Sequence, residues 1–460
     1  MQVVWLVHPA GARDRRYVTG AAATARASWH SGCKVNSCVQ NPGVLLADAL
    51  PEYPLLDPAS APIVIVGSGP AGMRVAAALA QALPAAPRLV YGEEPCEPYD
   101  RARLSAFLAG ELRWESLAID PALLNDPALE RRFGCTVTAI DRASRNVVDS
   151  WGRVQPYSKL ILATGARPHV PRIPGITLAG VFTFRDFGDA QRLLARRART
   201  RRTVVLGGGL FGLQAARAMR KSRIEVVVID HSTALMHRHL DAVAAELLKD
   251  HVERSGIRVV LNTGVRSIYG DTRVAGVRLM SGEDIACDTI ILATGLRPRV
   301  ELAIAAGLPV RTGIRVDDQL RTIDPDVHAV GECAEHRGVV YGLADPGLEQ
   351  AQAVAAVLAG ESRTYQGSAG GVDLKVSGLP VFSAGRVAPE QLGEGDRELA
   401  YRGSGSAQYC KIVVTRGRLS GALAIGSGFD TERLQQAVRQ RARVPTWRRW
   451  RFSLQGRLWD

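Results

Sequence analysis

Long apolar runs, clustered metal-ligand cysteines and an acidic surplus are all missing from this chain of 460 residues. No window approaches the roughly 18 unbroken apolar residues that a membrane-crossing helix needs, so no membrane span is expected. The cysteines number seven, are scattered and cannot all pair, which argues against a disulfide framework and for a reducing, cytoplasmic setting. The first apolar run is short, has no basic residue ahead of it and soon meets Asp14, so a secretory signal is not expected. Residues 12–34 are Arg-rich and acid-poor in the manner of a transit peptide, although an uncleaved extension is the plainer reading.

Basic residues are abundant: 58 Lys and Arg against 45 Asp and Glu leave a net charge of +13. That surplus suits an acidic partner. The arginines are spread along the chain and no nucleic-acid-binding motif accompanies them, so an acidic protein is expected and nucleic acid is not. At 49.4 kDa with a mean hydropathy of −0.01, the chain is expected to form two or three globular domains.

Two segments repeat one grammar. Ile63 to Val66 is a short apolar strand, broken by Gly-Ser-Gly-Pro-Ala-Gly and followed by an Ala-rich helix; Thr203 to Leu206, Gly-Gly-Gly-Leu-Phe-Gly and a second helix repeat it. Each is followed later by a buried strand ending in Ala-Thr-Gly and a basic-proline turn, "YSKLILATGARP" and "CDTIILATGLRP". Duplication of a nucleotide-binding unit predicts two nucleotide ligands.

The chemistry explains the spacing. In Gly67-x-Gly69-Pro70-Ala71-Gly72 the first glycine makes the tight turn, the second admits a pyrophosphate to the backbone, and the third lets helix and strand pack closely. The helix N-terminus then faces the phosphate charge. Gly207, Gly209 and Gly212 repeat the arrangement. An acid after the next strand, Glu93 in the first unit and Asp230 in the second, is placed to hold a ribose hydroxyl. A carboxylate at Asp230 repels a 2′-phosphate, so NADH is expected, with NADPH left open by the neighbouring His231.

With two such loops, each followed by an Ala-Thr-Gly strand (Ala163, Thr164, Gly165 and Ala293, Thr294, Gly295), the sequence resembles the pyridine nucleotide-disulfide oxidoreductase superfamily over about residues 62–360. "VDDQLRTIDPDVHAVGECAEH" looks like that family's second flavin segment. The resemblance places Gly331 and Glu332 at the ribityl chain of FAD. "EPYDRARLSAFLAGE" is similar to the loop of the rubredoxin and ferredoxin reductase branch that brings Arg101 near the FAD phosphates or adenine. "LMHRHLD", "GECAEHRGVVYGLADPG" and "LKVSGLPVFSAGR" resemble the flavoprotein part of the assimilatory nitrite reductase large subunit and its nitrate-reductase electron-transfer relatives. No Cys-x-x-Cys or similar cluster follows, so nitrite reduction by this chain alone is not expected and no metal is assigned.

The resemblance implies an α/β fold: two Rossmann-like, three-layer ββα nucleotide-binding domains and a small C-terminal α+β domain. The boundaries expected are an N-terminal extension at 1–61, an FAD-binding domain at 62–175 and 286–362, an NAD(P)H-binding domain at 176–285, a C-terminal interface domain at 363–438 and a basic aromatic tail at 439–460. It implies an FAD-dependent NADH reductase that passes electrons to a separate redox protein, in nitrate assimilation, with room for a homodimer. A flavin NADH oxidase or disulfide or persulfide reductase is the alternative enzyme. A flavin-bearing redox sensor is the alternative outside catalysis.

Where ferredoxin reductases of the branch often carry a Lys and a Glu near the nicotinamide, this chain has Ala106 and Gln214; Gln214 is expected to bond the carboxamide or nearby backbone. No catalytic side chain is assigned, because the cofactors carry the chemistry. Cys33 and Cys38 precede the first loop, outside the position a flavin-facing dithiol occupies, and Cys135, Cys287 and Cys410 read as core. In the tail, Trp447, Trp450 and Leu454 share one helical face, and packing within the molecule is expected of it.

Overall fold

The run Ile63–Val66 is apolar and buried at every position, as a strand covered on both faces requires. In the computed structural model, which describes residues 60–459 except 120–124, 343, 370, 377 and 404–407, it is the middle strand of a five-stranded parallel sheet. The spatial order is Val327–Ala329, Lys159–Leu162, Ile63–Val66, Arg88–Gly92 and Leu129–Phe133. A second parallel sheet repeats the design in the order Ile257–Val260, Glu225–Ile229, Arg202–Leu206, Thr289–Leu292 and Val181–Thr183. Each is accompanied by a three-stranded antiparallel meander, Val137–Pro156 in the first case and Val265–Ala286 in the second. The N-terminal extension, with Cys33 and Cys38, lies outside the described residues.

The expected return to the first unit at residue 286 comes too early. Val204 pairs with Ile290 and Leu206 with Leu292, so the second Ala-Thr-Gly strand belongs to the second sheet, beside its first strand, as Lys159–Leu162 lies beside Ile63–Val66 in the first. The crossing happens just after it, where Ala166–Pro168 and Leu296–Pro298 pair as an antiparallel ribbon.

The C-terminal sheet is antiparallel, in the order Gly371–Val376, Leu379–Gly385, Arg418–Ile425, Tyr409–Thr415 and Asp396–Arg402. Alternation sends Ser383, Tyr409 and Lys411 to one face. There Ser383 Oγ donates to the His239 carbonyl at 2.6 Å, and both Tyr409 and Lys411 reach the Asp241 carboxylate. Phe382, Cys410 and Ile412 point to the other face and join Leu434, Val438, Phe452 and Leu458 in a separate core.

The last two contacts revise the tail. Residues Thr446–Gln455 form a helix whose Phe452 is buried against the sheet, so no boundary at 438 separates this segment from the sheet. Its Trp447, Trp450 and Leu454 are instead 56%, 71% and 58% exposed. The helix has apolar residues on two sides, and burial falls on Phe452 rather than on the expected stripe.

Candidate functional site

The two glycine loops have nearly the same geometry because the same close contacts dictate both. Gly67 and Gly207 adopt φ of +121° and +115°, open to glycine alone. A methyl group added at Gly72 would lie 1.9 Å from the Gly67 carbonyl oxygen, and one at Gly212 equally close to that of Gly207. The first and third glycines are therefore fixed by packing. The second differs: a methyl at Gly69 would meet only the Arg101 Nε, at 3.9 Å, and one at Gly209 would meet nothing within 4 Å. The helices that follow, Pro70–Ala82 and Leu210–Lys221, have no side chain capping their first N–H groups and no acid in the first turn. Each loop is an open cradle with free donors at the positive end of a helix, which is what a pyrophosphate needs. Pro70 and Ala71 open the first helix, and Ala71 lies under Gly331, where an added methyl would approach its Cβ to 2.8 Å.

The two acids expected to hold the riboses are not equivalent. Asp230 follows its strand directly and is only 7% exposed; its carboxylate accepts from the Gly208 N–H at 2.5 Å and from the Ser232 N–H at 2.8 Å. In register, Val66 pairs with Tyr91 as Leu206 pairs with Ile229, so the counterpart of Asp230 is Gly92. Ser68 occupies the space a side chain there would need. Glu93 stands one residue later, exposed and paired with Arg299. Its neighbour Glu94 is half-buried, accepts from the Tyr99 hydroxyl at 2.7 Å and pairs with Arg101.

The Ala-Thr-Gly segments meet each other. Thr164 Oγ1 donates to the Arg299 carbonyl at 2.7 Å, and Thr294 Oγ1 to the His169 carbonyl at 2.6 Å. The backbone repeats the symmetry, with Arg299 N–H on Gly165 and His169 N–H on Gly295, each at 2.9 Å. Ala163 and Ala293 present their carbonyls under Gly67 and Gly207. These threonine hydroxyls lock the two crossings together.

One residue that the motifs did not single out joins the units. Arg185 pairs with Glu332, and its guanidinium lies over the Phe211 ring of the second loop, 5.7 Å from the centroid. Its Nε is buried without a partner among the described residues. Arg185 directly precedes Asp186, whose side chain caps the helix Phe187–Arg197 by accepting from the Asp189 N–H at 2.7 Å. An arginine held between a strand and a capped helix was the available signal. Gly331 donates to Gln350 Oε1 at 2.7 Å in the buried turn that presents Glu332.

Tyr99 ties the first unit to the second from another side. Its hydroxyl accepts from the Phe187 N–H at 2.8 Å, its ring packs with Trp114 and Phe187, and burial holds its phenol protonated far above the ordinary range. Ala106 lies on the short helix Leu104–Leu108, which packs on the helix carrying Gln214. Gln214 is half-buried, and its side chain makes no hydrogen bond among the described residues.

Four of the described thiols are poorly suited to attack. Burial pushes Cys96 up to about 11 and Cys287 and Cys410 up to about 12, and it also raises Cys333. Thiols so shifted stay protonated near neutrality. Among the described residues no group of three His, Cys, Asp or Glu side chains could hold a metal ion, and no helix is long and apolar enough to cross a membrane.

Comparison with known proteins places these features. A family model described as pyridine nucleotide-disulphide oxidoreductase matches residues 61–357, and one described as rubredoxin NAD+ reductase C-terminal domain matches residues 372–442. The nitrite reductase [NAD(P)H] of Bacillus subtilis is 36% identical over 387 residues, covering 83% of this chain and 48% of that protein. The assimilatory nitrate reductase electron transfer subunit of the same organism is 35% identical over 379 residues, covering 82% of this chain and 49% of that one. The chain therefore spans about half the length of these curated relatives. Among solved structures, a chain of the covalent putidaredoxin reductase–putidaredoxin complex is 27% identical with a TM-score of 0.76, covering 84% of this chain and 94% of that one.

Proposed function

The chain belongs to the pyridine nucleotide-disulphide oxidoreductase family, and from that premise we propose that it is an FAD-dependent NADH reductase that delivers electrons to a separate redox protein. The observation that carries the proposal is the convergence of the two cradles: Arg185 touches Phe211 of the second loop and Glu332 of the first unit at once. Two dinucleotides laid along the cradles would bring their far ends to that junction.

The residues present fit the two groups. The open second glycines and free helix N-termini suit two pyrophosphates, and Arg101 stands at the edge of the first cradle. Glu332 and the unpartnered Arg185 Nε are polar groups at the place the flavin end would reach. When bound, the flavin accepts a hydride from the reduced nicotinamide and can release its electrons singly. The protein's part is to hold the two rings face to face, exclude water and choose the nucleotide. Asp230 would accept from the 2′- and 3′-hydroxyls of NADH and repel the 2′-phosphate of NADPH. Gln214, neutral opposite Ala106, leaves no unpaired charge beside the hydride path and offers the carboxamide a partner.

A one-electron protein of the ferredoxin or rubredoxin kind, or a nitrite reductase component, is the acceptor we propose, in a cytoplasmic setting. Support comes from the net positive charge, which suits an acidic carrier, and from the relatives named above. The raised thiols of Cys96, Cys287 and Cys410 favour this reading over the disulfide-reductase alternative, since none of the three offers a ready thiolate. Anaerobic stopped-flow mixing with NADH and with NADPH, then reoxidation by ferredoxin, rubredoxin, oxygen and a disulfide, tests the reading. Fast bleaching by NADH and faster reoxidation by a carrier protein are expected. Reoxidation fastest with the disulfide, and abolished by thiol alkylation, would overturn it.

A further inference from the structure

The helix Thr446–Gln455 turns Phe452 into the core and leaves Trp447 and Trp450, with Leu454 one turn on, in solvent. A contiguous aromatic stripe of this kind is seldom left uncovered. The segment that carries it is basic, and the carboxylates of the strand packed beside it, Asp396 and Glu398, are paired with Arg386 and Lys411. Between residues 433 and 459 there are eight arginines and no aspartate or glutamate. The hairpin turn with Arg416 and Arg418 is tied to the same place: the Leu419 N–H donates to Ala442 and the Val444 N–H to Gly417, each at 2.9 Å. Among the described residues, none of Arg416, Arg418, Arg441, Arg443, Arg449 and Arg457 has a carboxylate partner.

The start of the helix adds to the field. Its N-cap is Pro445, no side chain caps its first N–H groups, and Arg448 and Arg449 lie in its first turn. Cations at the positive end of a helix are unfavourable unless an anion covers them. The patch therefore combines free backbone donors, six guanidinium groups without a carboxylate partner and exposed indoles, the groups that bind phosphate, surface charge and the headgroup layer of a bilayer respectively.

We propose that this helix and the adjoining hairpin turn seat the protein on the surface of an anionic lipid bilayer, with the two tryptophans in the headgroup layer and the arginines on lipid phosphates. A second copy of the chain is disfavoured, because an isologous contact would bring the two arginine clusters together. A redox carrier is disfavoured by position. The helix covers the sheet face bearing Phe382, Cys410 and Ile412, whereas the opposite face, with Ser383, Tyr409 and Lys411, meets His239 and Asp241 of the nucleotide-binding half. A carrier docked on the helix would have the whole sheet between itself and the junction at Arg185. The attachment is peripheral and leaves that site open.

The test is co-sedimentation of the full-length protein with phosphatidylcholine vesicles and with vesicles containing phosphatidylglycerol, at low and high salt. Binding is expected only with phosphatidylglycerol and should be released by salt. Trp450→Ser should weaken partitioning about tenfold. The pair Arg441→Gln and Arg443→Gln should weaken it similarly and flatten its salt dependence. NADH-driven reduction of a small dye should be unchanged in both variants, which would show that they fold. Absence of binding to phosphatidylglycerol vesicles, or equal binding by the variants, would overturn the proposal. So would loss of ferredoxin reduction in Trp450→Ser with vesicle binding intact, since the face would then belong to a protein partner. Failure of the reductase reading would leave the sedimentation result standing, because it requires no turnover.

Discussion

Replacing each glycine of one loop by alanine separates what the fold needs from what the ligand needs. At Gly72 the new methyl would lie 1.9 Å from the Gly67 carbonyl oxygen. Ordinary carbon–oxygen contact begins near about 3.3 Å, so helix and strand must part by about 1.4 Å. The obstacle is backbone and cannot rotate away, which puts the penalty at about 3 kcal/mol, the upper end for overpacking. At Gly69 φ is −73°, which alanine accepts, and the nearest atom is 3.9 Å away. The entropy gained in the unfolded chain and the slightly poorer N-cap roughly cancel, leaving a change within about 0.5 kcal/mol. The Gly69 methyl would instead fill the space through which a pyrophosphate reaches the backbone, and a loss of about 100-fold in FAD affinity, about 2.8 kcal/mol, is expected. The assay is the urea midpoint of the flavin-free protein together with a flavin fluorescence titration. Gly72→Ala should lower the midpoint, and Gly69→Ala should leave it unmoved while weakening FAD. The second loop repeats the experiment, with Gly212→Ala against Gly209→Ala and the KM for NADH as the readout. Native FAD affinity in Gly69→Ala, or a native midpoint in Gly72→Ala, would refute this division of labour.

Asp230→Asn keeps an acceptor for the Gly208 N–H but removes the charge, so the ratio of kcat/KM for NADH over NADPH should fall about tenfold in steady-state assays. Arg185→Leu strands the Glu332 carboxylate in a site where both side chains are under a fifth exposed, and should destabilise by about 3 kcal/mol. Adding Glu332→Gln should restore part of that loss in a double-mutant cycle of denaturant midpoints. His328 is 1% exposed, and burial lowers it from 6.5 to about 4. The unfolded chain therefore binds the proton first, and stability present above pH 6.5 should fall by about 3 kcal/mol as pH drops to about 4. His328→Leu should remove that acid slope from the pH dependence of unfolding.

What the sequence made legible was what strand periodicity and glycine spacing determine locally. The buried runs Ile63–Val66 and Arg202–Leu206, the loops after them and the acid at Asp230 are each consequences of about ten consecutive residues. Contacts made at long range were not legible. Arg185 and Glu332 are 147 positions apart. The offset of Glu93 depends on Ser68 occupying the space beside Gly92, which a motif does not encode. The C-terminal helix shows a different limit. Trp447, Trp450 and Leu454 form a stripe at helical spacing, but Phe452 lies on another side, and only the shape of the sheet decides which is buried.

The duplicated Ala-Thr-Gly segments bear on why the chain crosses between units where it does. Thr164 and Thr294 spend their hydroxyls on the opposite crossing, and the Gly165 and Gly295 carbonyls accept from the Arg299 and His169 N–H groups. Each unit thus supplies half of a ribbon that neither could close alone. Ala163 and Ala293, one residue before the threonines, support the first glycine of each loop through their carbonyls. Position is therefore transmitted along a short rigid path: loop to alanine carbonyl, threonine to crossing, and crossing to the other loop. The hydride transfer proposed above would tolerate little error in the separation of the two rings. A joint built from backbone hydrogen bonds and two threonine hydroxyls resists splaying more firmly than a contact between mobile side chains. That constraint gives a physical reason for the same three residues to stand at both sites.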